Sequence, residues 1–188
     1  MKTPSKLLLY VASVACLPLA VRAPAQPLLA IDKNSIIATL HAEGAQIYEC
    51  KPDTSKPAGQ ARALTWQFRE PIATLMVGGQ SVGRHYAGPN WALVDGGAVK
   101  GRVVTSTPAA TANDIPWLEL EVVDHRDKGI LSDAVTVLRI NTKGGLAQGS
   151  CESECKYLGV PYAADYLFAQ ARLMLQPRPP KAVNPYDC

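Results

Sequence analysis

Residues 115–123 read IPWLELEVV, and the alternation of apolar and polar side chains along this stretch predicts a β-strand. The apolar side chains at positions 118, 120 and 122 fall on one face. Trp117 falls on the other face together with Glu119 and Glu121. One apolar and one polar face are typical of a sheet that covers a core on one side and meets solvent on the other.

Similar short stretches recur along the chain and are separated by turn signals. Gly78-Gly79 and Gly96-Gly97 are two such signals, because paired glycines favour turns. Many short strands with turns between them indicate an all-β fold. We therefore expect a single antiparallel β-sandwich or barrel-like domain over residues 26–175, with disulfides. The other candidate strands are residues 36–40, 45–50 (separated from the first by Glu43-Gly44), 64–68, 99–105 and 134–140.

The C-terminal region contains one ambiguous element. Residues 163–175 are rich in Ala, Leu, Gln and Met, a composition that favours a helix. The aromatic residues Tyr162, Tyr166 and Phe168 alternate, however, as they would in a strand. Residues 176–188 contain four prolines and are expected to form an extended, Pro-rich tail.

Residues 1–25 have the features of a signal peptide. Two lysines precede an apolar run that is shorter than the roughly 20 residues needed to span a bilayer. Ala-Pro-Ala at positions 23–25 then supplies the small side chains that a signal peptidase requires. We expect cleavage after Ala25 and a secreted or periplasmic mature protein. The alternative is a lipoprotein acylated at Cys16, which is disfavoured because Ser13 stands where such signals carry an aliphatic residue.

The charge of the expected mature chain excludes two classes of partner. The full sequence carries 19 Lys and Arg against 16 Asp and Glu, a net charge of +3. The signal peptide contains three of the basic residues (Lys2, Lys6 and Arg22) and no acidic residue, so the remainder is formally neutral. A neutral chain without a basic cluster lacks the surface that nucleic acid or an anionic membrane attracts. We expect neither partner after signal cleavage, and the oligomeric state stays open.

Four cysteines remain after the signal peptide: Cys50, Cys151, Cys155 and Cys188. An even number in an oxidising compartment predicts two disulfides, with three possible pairings. We favour Cys50–Cys151 with Cys155–Cys188. A zinc site at the C-x-x-x-C pair is the alternative, but no second close Cys or His pair would complete it. We therefore expect no metal. The chain also lacks a P-loop and a G-x-G-x-x-G motif, so we expect no nucleotide cofactor.

The densest group of functional side-chain types lies between residues 83 and 97. A turn at Gly88-Pro89 would bring His85 and Tyr86 close to Asn90 and Trp91. A histidine near a carboxylate, here Asp95, is suited to proton transfer at neutral pH. Tyr and Trp rings present flat faces for stacking on a ligand. The alternative is purely structural: His85 and Asp95 hydrogen-bond locally while Trp91 fills the core.

Two function classes follow from these residues. The first is an exported binding protein for a small neutral or carbohydrate-like ligand, on which Trp91, Tyr86 and Trp117 would stack. His85, Asn90 and Asp95 would orient this ligand, and Arg139 is a further candidate ligand-binding residue. The second is a hydrolase or isomerase with a His85–Asp95 acid–base pair. The first is preferred because no complete set of nucleophile, base and orienting group is visible. Glu119 and Glu121 are better explained as a solvated face than as a catalytic pair.

Five motifs occur in order along the chain: GAQIYEC at 44–50, HYAGPNW at 85–91 with DGG at 95–97, IPWL at 115–118, RINT at 139–142 with GG at 144–145, and VPYAADYLF at 160–168. In this order they resemble the DUF3455 family, exported proteins of bacteria and fungi without an established activity. The resemblance runs from about residue 30 to residue 169. It implies that Cys50 pairs with Cys151 and that residues 162–168 form a strand, and it implies no mechanism.

Overall fold

The structure is a computed structural model that describes residues 32–55, 63–126 and 128–171. A 3-10 turn at Lys33–Ser35 precedes eight strands and is capped by the Asp32 carboxylate, which accepts a hydrogen bond from the Asn34 amide. The strands are β1 Ile36–Pro52, β2 Leu64–Val77, β3 Gln80–Tyr86, β4 Asn90–Leu93, β5 Ala98–Thr107, β6 Trp117–Arg126, β7 Ala134–Gly144 and β8 Tyr157–Gln170.

The eight strands form one antiparallel sheet that closes into a barrel. Each strand pairs with the next one along the chain, and β8 pairs with β1 to complete the ring. The prediction of an all-β, antiparallel domain is confirmed, and the closed ring decides for the barrel over the sandwich. The ambiguous C-terminal element is a strand, because Tyr162, Tyr166 and Phe168 on β8 all point to the buried side.

The prediction of two short strands at 36–40 and 45–50 is wrong, because β1 is continuous from Ile36 to Pro52. Gly44 does not end the strand; it pairs with Ala73 on β2 and with Tyr162 on β8. A Cβ atom at this position would lie 2.1 Å from the carbonyl oxygen of Ile72. Glycine is therefore used here for close approach of two strands rather than for a turn.

The core is formed by the inward-facing residue of every second position on the strands. Leu120, Val137 and Phe168 are at most 2% exposed, and burial of each such side chain contributes about 1.5–3 kcal/mol. The polar face of β6 points outward as predicted, and Glu121 forms an ion pair there with Arg102. Alternation with a period of two therefore assigns inside and outside correctly along β6.

A disulfide joins Cys50, near the end of β1, to Cys151 in the connection between β7 and β8. The first predicted bridge is thus confirmed. Cys155 is exposed and has no disulfide partner among the described residues. Its expected partner Cys188 lies outside them, as do the expected signal peptide 1–25 with Cys16, the expected tail 176–188 and both ends of the expected domain 26–175.

Within the three described ranges, no helix is both long enough and apolar enough to cross a membrane.

Candidate functional site

The predicted approach of His85 to Trp91 is present in the β3–β4 hairpin. The two residues are direct cross-strand partners, and their rings stack at 4.7 Å between centroids with 11° between planes. The turn between them needs a glycine, because Gly88 has φ +108° and a Cβ there would lie 2.6 Å from Asn90 Nδ2. Both rings point into the barrel and are 3% and 1% exposed.

A cavity of about 150 Å³ lies beside this ring pair and is partly open to solvent, since Phe68 and Val103 in its wall are about half exposed. We call it the barrel cavity. Its apolar wall consists of Phe68, Pro71, Trp91, Val103, Leu118 and Leu120, and the turn residues Gly88 and Pro89 also line it. Its polar side chains are those of Gln46, Arg69, His85, Arg139 and Tyr166. Side chains from all eight strands therefore converge on one small, mostly apolar space.

His85 has a defined tautomer in this cavity. Its Nδ1 lies 2.8 Å from the backbone carbonyl oxygen of Asn90, so Nδ1 carries the hydrogen and donates it. The pKa of His85 is lowered to about 4, mainly by burial and to a smaller extent by the charge of Arg139, against the opposing effect of the hydrogen bond to the Asn90 carbonyl. At neutral pH the ring is uncharged, and Nε2 is an acceptor without a partner among the described residues.

Three other residues of the barrel cavity carry buried polar atoms without a hydrogen-bond partner in the described part of the chain. They are Gln46 Nε2, Trp91 Nε1 and the Tyr166 hydroxyl. Burial raises the pKa of Tyr166, so its hydroxyl stays protonated and is able to donate. The Tyr162 hydroxyl lies near both the Tyr166 hydroxyl and the Gln46 side chain, and Arg139 lies near the Tyr166 hydroxyl, but none of these contacts has the geometry of a full hydrogen bond. Buried polar groups are normally satisfied, so three on one small cavity is unusual.

Arg139 completes the polar side of the cavity. It pairs with Leu118 on β6 and with Tyr166 on β8, so these three lining residues form a row across neighbouring strands. Nε and Nη2 of its guanidinium donate to the carbonyl oxygen of Pro116 at 3.1 and 2.8 Å. No carboxylate of the described residues pairs with it.

The structure does not bring Asp95 to His85. Asp95 lies in the β4–β5 turn, and consecutive turns of an antiparallel sheet lie at opposite ends of the strand that joins them. Its carboxylate accepts hydrogen bonds from the amides of Gly97 and Ile130, both at 2.8 Å, and lines a different pocket beside Leu40 and Leu93. The His85–Asp95 acid–base pair is therefore absent.

Tyr86 and Asn90, next to the stacked rings, have structural contacts. Tyr86 points outward because side chains alternate along β3, and Arg84 lies over its ring while Arg126 donates to its hydroxyl. Asn90 is nearly buried, and its side-chain amide donates to the Ala87 carbonyl within the turn. Neither residue lines the barrel cavity.

Trp117 lines a separate outer groove that holds a cluster the sequence did not reveal. His41 Nδ1 lies 2.7 Å from an oxygen of Asp165, and Asn141 donates to the other oxygen at 2.8 Å. His41 and Asp165 are 124 positions apart and meet because β1 pairs with β8. No group of three or more His, Cys, Asp or Glu in the described ranges is arranged to hold a metal ion.

Residues 79–83, GQSVG, also fit the pattern G-x-S-x-G. In serine hydrolases this pattern forms a sharp turn between a strand and a helix. Here the segment begins in the β2–β3 turn and continues into β3, and Ser81 is exposed on the strand. The structural context of a nucleophile elbow is therefore not present at Ser81.

Fold and site together define an antiparallel eight-stranded barrel with a small interior cavity. A family model described as "Protein of unknown function (DUF3455)" matches residues 76–170, half of the chain, and the chain belongs to this family. The match is shorter than the stretch that carries the resemblance in the sequence. It includes His85, Trp91, Arg139 and Tyr166 and begins after Gln46. No curated protein and no solved structure matches the chain.

Proposed function

We propose that this protein binds one small, ring-sized molecule in the barrel cavity. The observation that carries the proposal is a mostly apolar cavity whose lining residues include Gln46, Trp91 and Tyr166, each with a buried polar atom that has no hydrogen-bond partner among the described residues. A buried polar atom without a partner costs about 1–3 kcal/mol. A ligand that completes these hydrogen bonds would recover part of that cost.

The size and walls of the cavity favour a flat molecule with a polar end. An apolar protein cavity of about 150 Å³ accommodates a single benzene-sized ring. Eight-stranded barrels also have interiors that are either filled by side chains or hold one small ligand. A sugar would leave most of its hydroxyls against Phe68, Leu118 and Leu120 without partners, so a carbohydrate is the weaker form of the proposal.

The role that we propose for Trp91 in ligand binding differs from the stacking role expected from the sequence. One face of its indole stacks on His85, and its edges contact Tyr166 and Phe168. We therefore assign it to the wall of the cavity, where it offers its N–H to the ligand. His85 would offer its unprotonated Nε2 as an acceptor, which is a binding contact and requires no acid–base partner.

We also propose that binding takes place outside the cytoplasm, after removal of residues 1–25. The N-terminal lysines, the short apolar run and Ala-Pro-Ala at 23–25 support export. Expression of the full chain with its own N-terminus, followed by N-terminal sequencing of the exported protein, tests this. Gln26 as the first residue is expected. Recovery of only the uncleaved chain from the cytoplasm, or of a form that begins at an acylated Cys16, would contradict it.

The binding proposal is tested by NMR titration with benzyl alcohol and with benzoate. The side-chain N–H of Trp91 has no partner and is expected to shift, while those of Trp66 and Trp117, which do not line the cavity, serve as internal references. Val103→Trp would block the cavity from a position that is 49% exposed. Val104→Trp, 59% exposed and not in the lining, is the matched control.

We expect both probes to shift the Trp91 signal in the wild type and in Val104→Trp, and neither to shift it in Val103→Trp. The proposal is wrong if no probe moves the Trp91 signal at millimolar concentration. It is also wrong if Val103→Trp responds as the wild type does.

A further inference from the structure

Arg139 is a cation on the barrel cavity without a counter-ion. Two of its nitrogens donate to the neutral carbonyl of Pro116, and no Asp or Glu lines the cavity. The second lining arginine, Arg69, differs because its Nε lies 3.2 Å from Glu70. A charge that is partly withdrawn from water usually has a partner of opposite sign. Of these two arginines, only Arg139 has no carboxylate partner among the described residues.

The unpartnered polar atoms of the residues that line the cavity are hydrogen-bond donors, so they favour a ligand with acceptor atoms, as Arg139 does. Gln46 Nε2 and Trp91 Nε1 are donors, and the protonated hydroxyl of Tyr166 is able to donate. Tyr166 is the direct cross-strand partner of Arg139, so one donor lies beside the guanidinium. A ligand that satisfies these groups must present acceptors, and an acceptor with negative charge also neutralises Arg139.

We propose that the ligand of the barrel cavity is a small aromatic carboxylate of about the size of benzoate, with its carboxylate on Arg139 and its ring against the apolar wall. This inference rests on the proposed function and adds the charge and class of the ligand. It departs from the neutral ligand expected from the sequence. A formally neutral chain does not determine the charge at one interior site, which the register of β6, β7 and β8 sets here.

The geometry accounts for both ends of such a ligand. A guanidinium binds a carboxylate through two parallel N–H donors, and a charged hydrogen bond is roughly twice as strong as a neutral one. Leu118 is the β6 partner of Arg139, and Leu120 lies on the same face of that strand, so an apolar surface begins next to the charge. Acetate would satisfy Arg139 but leave this surface empty, whereas benzyl alcohol would cover the surface but leave Arg139 without a counter-ion.

Titration calorimetry with benzoate, benzyl alcohol and acetate at neutral pH tests the inference on the whole mature protein. We expect benzoate to bind at least about tenfold more tightly than benzyl alcohol, because benzyl alcohol leaves the charge of Arg139 unpaired. Acetate should bind more weakly than both. Arg139→Gln should weaken benzoate by about tenfold and leave benzyl alcohol within about threefold, whereas Arg139→Lys should retain part of the difference.

Failure of the inference and failure of the proposed function give different results. If benzyl alcohol binds as tightly as benzoate, or if Arg139→Gln weakens both equally, the cavity binds ligands but the carboxylate assignment is wrong. If neither aromatic probe binds, both proposals are wrong. If Arg139→Gln does not fold, the comparison of benzoate with benzyl alcohol in the wild type still decides the matter.

Discussion

The imidazole of His85 and the indole of Trp91 form a stacked pair inside the barrel, with ring centroids 4.7 Å apart. The pair is held from both sides, because Tyr166 contacts each ring and Phe168 contacts the indole edge. One carbonyl, that of Asn90, fixes the imidazole tautomer. The stack therefore presents a fixed, uncharged wall to the barrel cavity at neutral pH.

The buried His85 makes stability depend on pH. Its pKa is about 4 in the folded protein, against 6.5 for an exposed histidine. Between these values the unfolded chain binds more protons, so stability is complete above pH 6.5 and falls as the pH drops towards 4. The loss amounts to roughly 3 kcal/mol. Urea denaturation between pH 7.5 and 4 measures it, and His85→Gln should have a shallower pH dependence. If the stability of His85→Gln depends on pH as steeply as that of the wild type, the low pKa of His85 is wrong. It is also wrong if the His85 imidazole titrates near pH 6.5 in an NMR experiment.

Gly101 supports the Trp91 ring from the neighbouring part of β5. A Cβ atom at Gly101 would lie 3.0 Å from Cζ3 of Trp91 and 3.3 Å from Cδ2 of Leu120. Gly101→Val should therefore overpack the core and lower the free energy of unfolding by about 1–3 kcal/mol. Lys100→Val, at the exposed neighbouring position, should change it by less than about 0.5 kcal/mol. Equal effects of the two variants in urea denaturation would show that Trp91 is not packed on Gly101.

The Cys50–Cys151 disulfide closes a loop with a sequence separation of 101. In the chain-entropy description, a cross-link that closes such a loop raises the free energy of unfolding by about 4–5 kcal/mol. The double variant Cys50→Ser/Cys151→Ser should lose that amount in denaturation without reductant, whereas Ser150→Ala should stay near the wild type. A loss below about 1 kcal/mol would mean that the unfolded chain is already constrained in some other way.

The second bridge predicted from the sequence, Cys155–Cys188, is checked by mass spectrometry of the intact mature protein. Reduction should add four hydrogens if both bridges are present, and Cys155 should then resist alkylation before reduction. A gain of two hydrogens together with alkylation of Cys155 would leave Cys50–Cys151 as the single bridge.

The alternation of side chains allowed much of the fold to be predicted. It identified the inner and outer faces of β6 and, with the resemblance to the family, the strand character of β8. It did not separate a barrel from a sandwich, because both present one apolar face to a core. It also placed a break at Gly44, since a glycine that lets two strands approach looks the same in sequence as one in a turn.

The candidate site could be predicted only in part, because the register between paired strands decides which side chains meet and the sequence does not specify it. His85 and Trp91 were paired correctly because a tight turn fixes their cross-strand positions. Asp95 was placed with them because it is near in sequence, yet β4 carries it to the opposite end of the barrel. Tyr166 meets Arg139 through the pairing of β7 with β8, which the sequence of neither strand specifies. Gln46 is buried in the structure, but nothing in the sequence distinguishes it from the outward-facing polar residues of β1.

The central claim is that the barrel cavity holds a ligand, and a crystal structure with bromobenzoate tests it most directly. The anomalous signal of bromine marks the position of the ring without ambiguity. We predict a bromine peak inside the barrel, within van der Waals contact of Leu118 and Leu120, with the carboxylate within hydrogen-bonding distance of Arg139. An unoccupied cavity at saturating bromobenzoate, with bromine found only on the outer surface, would contradict the claim.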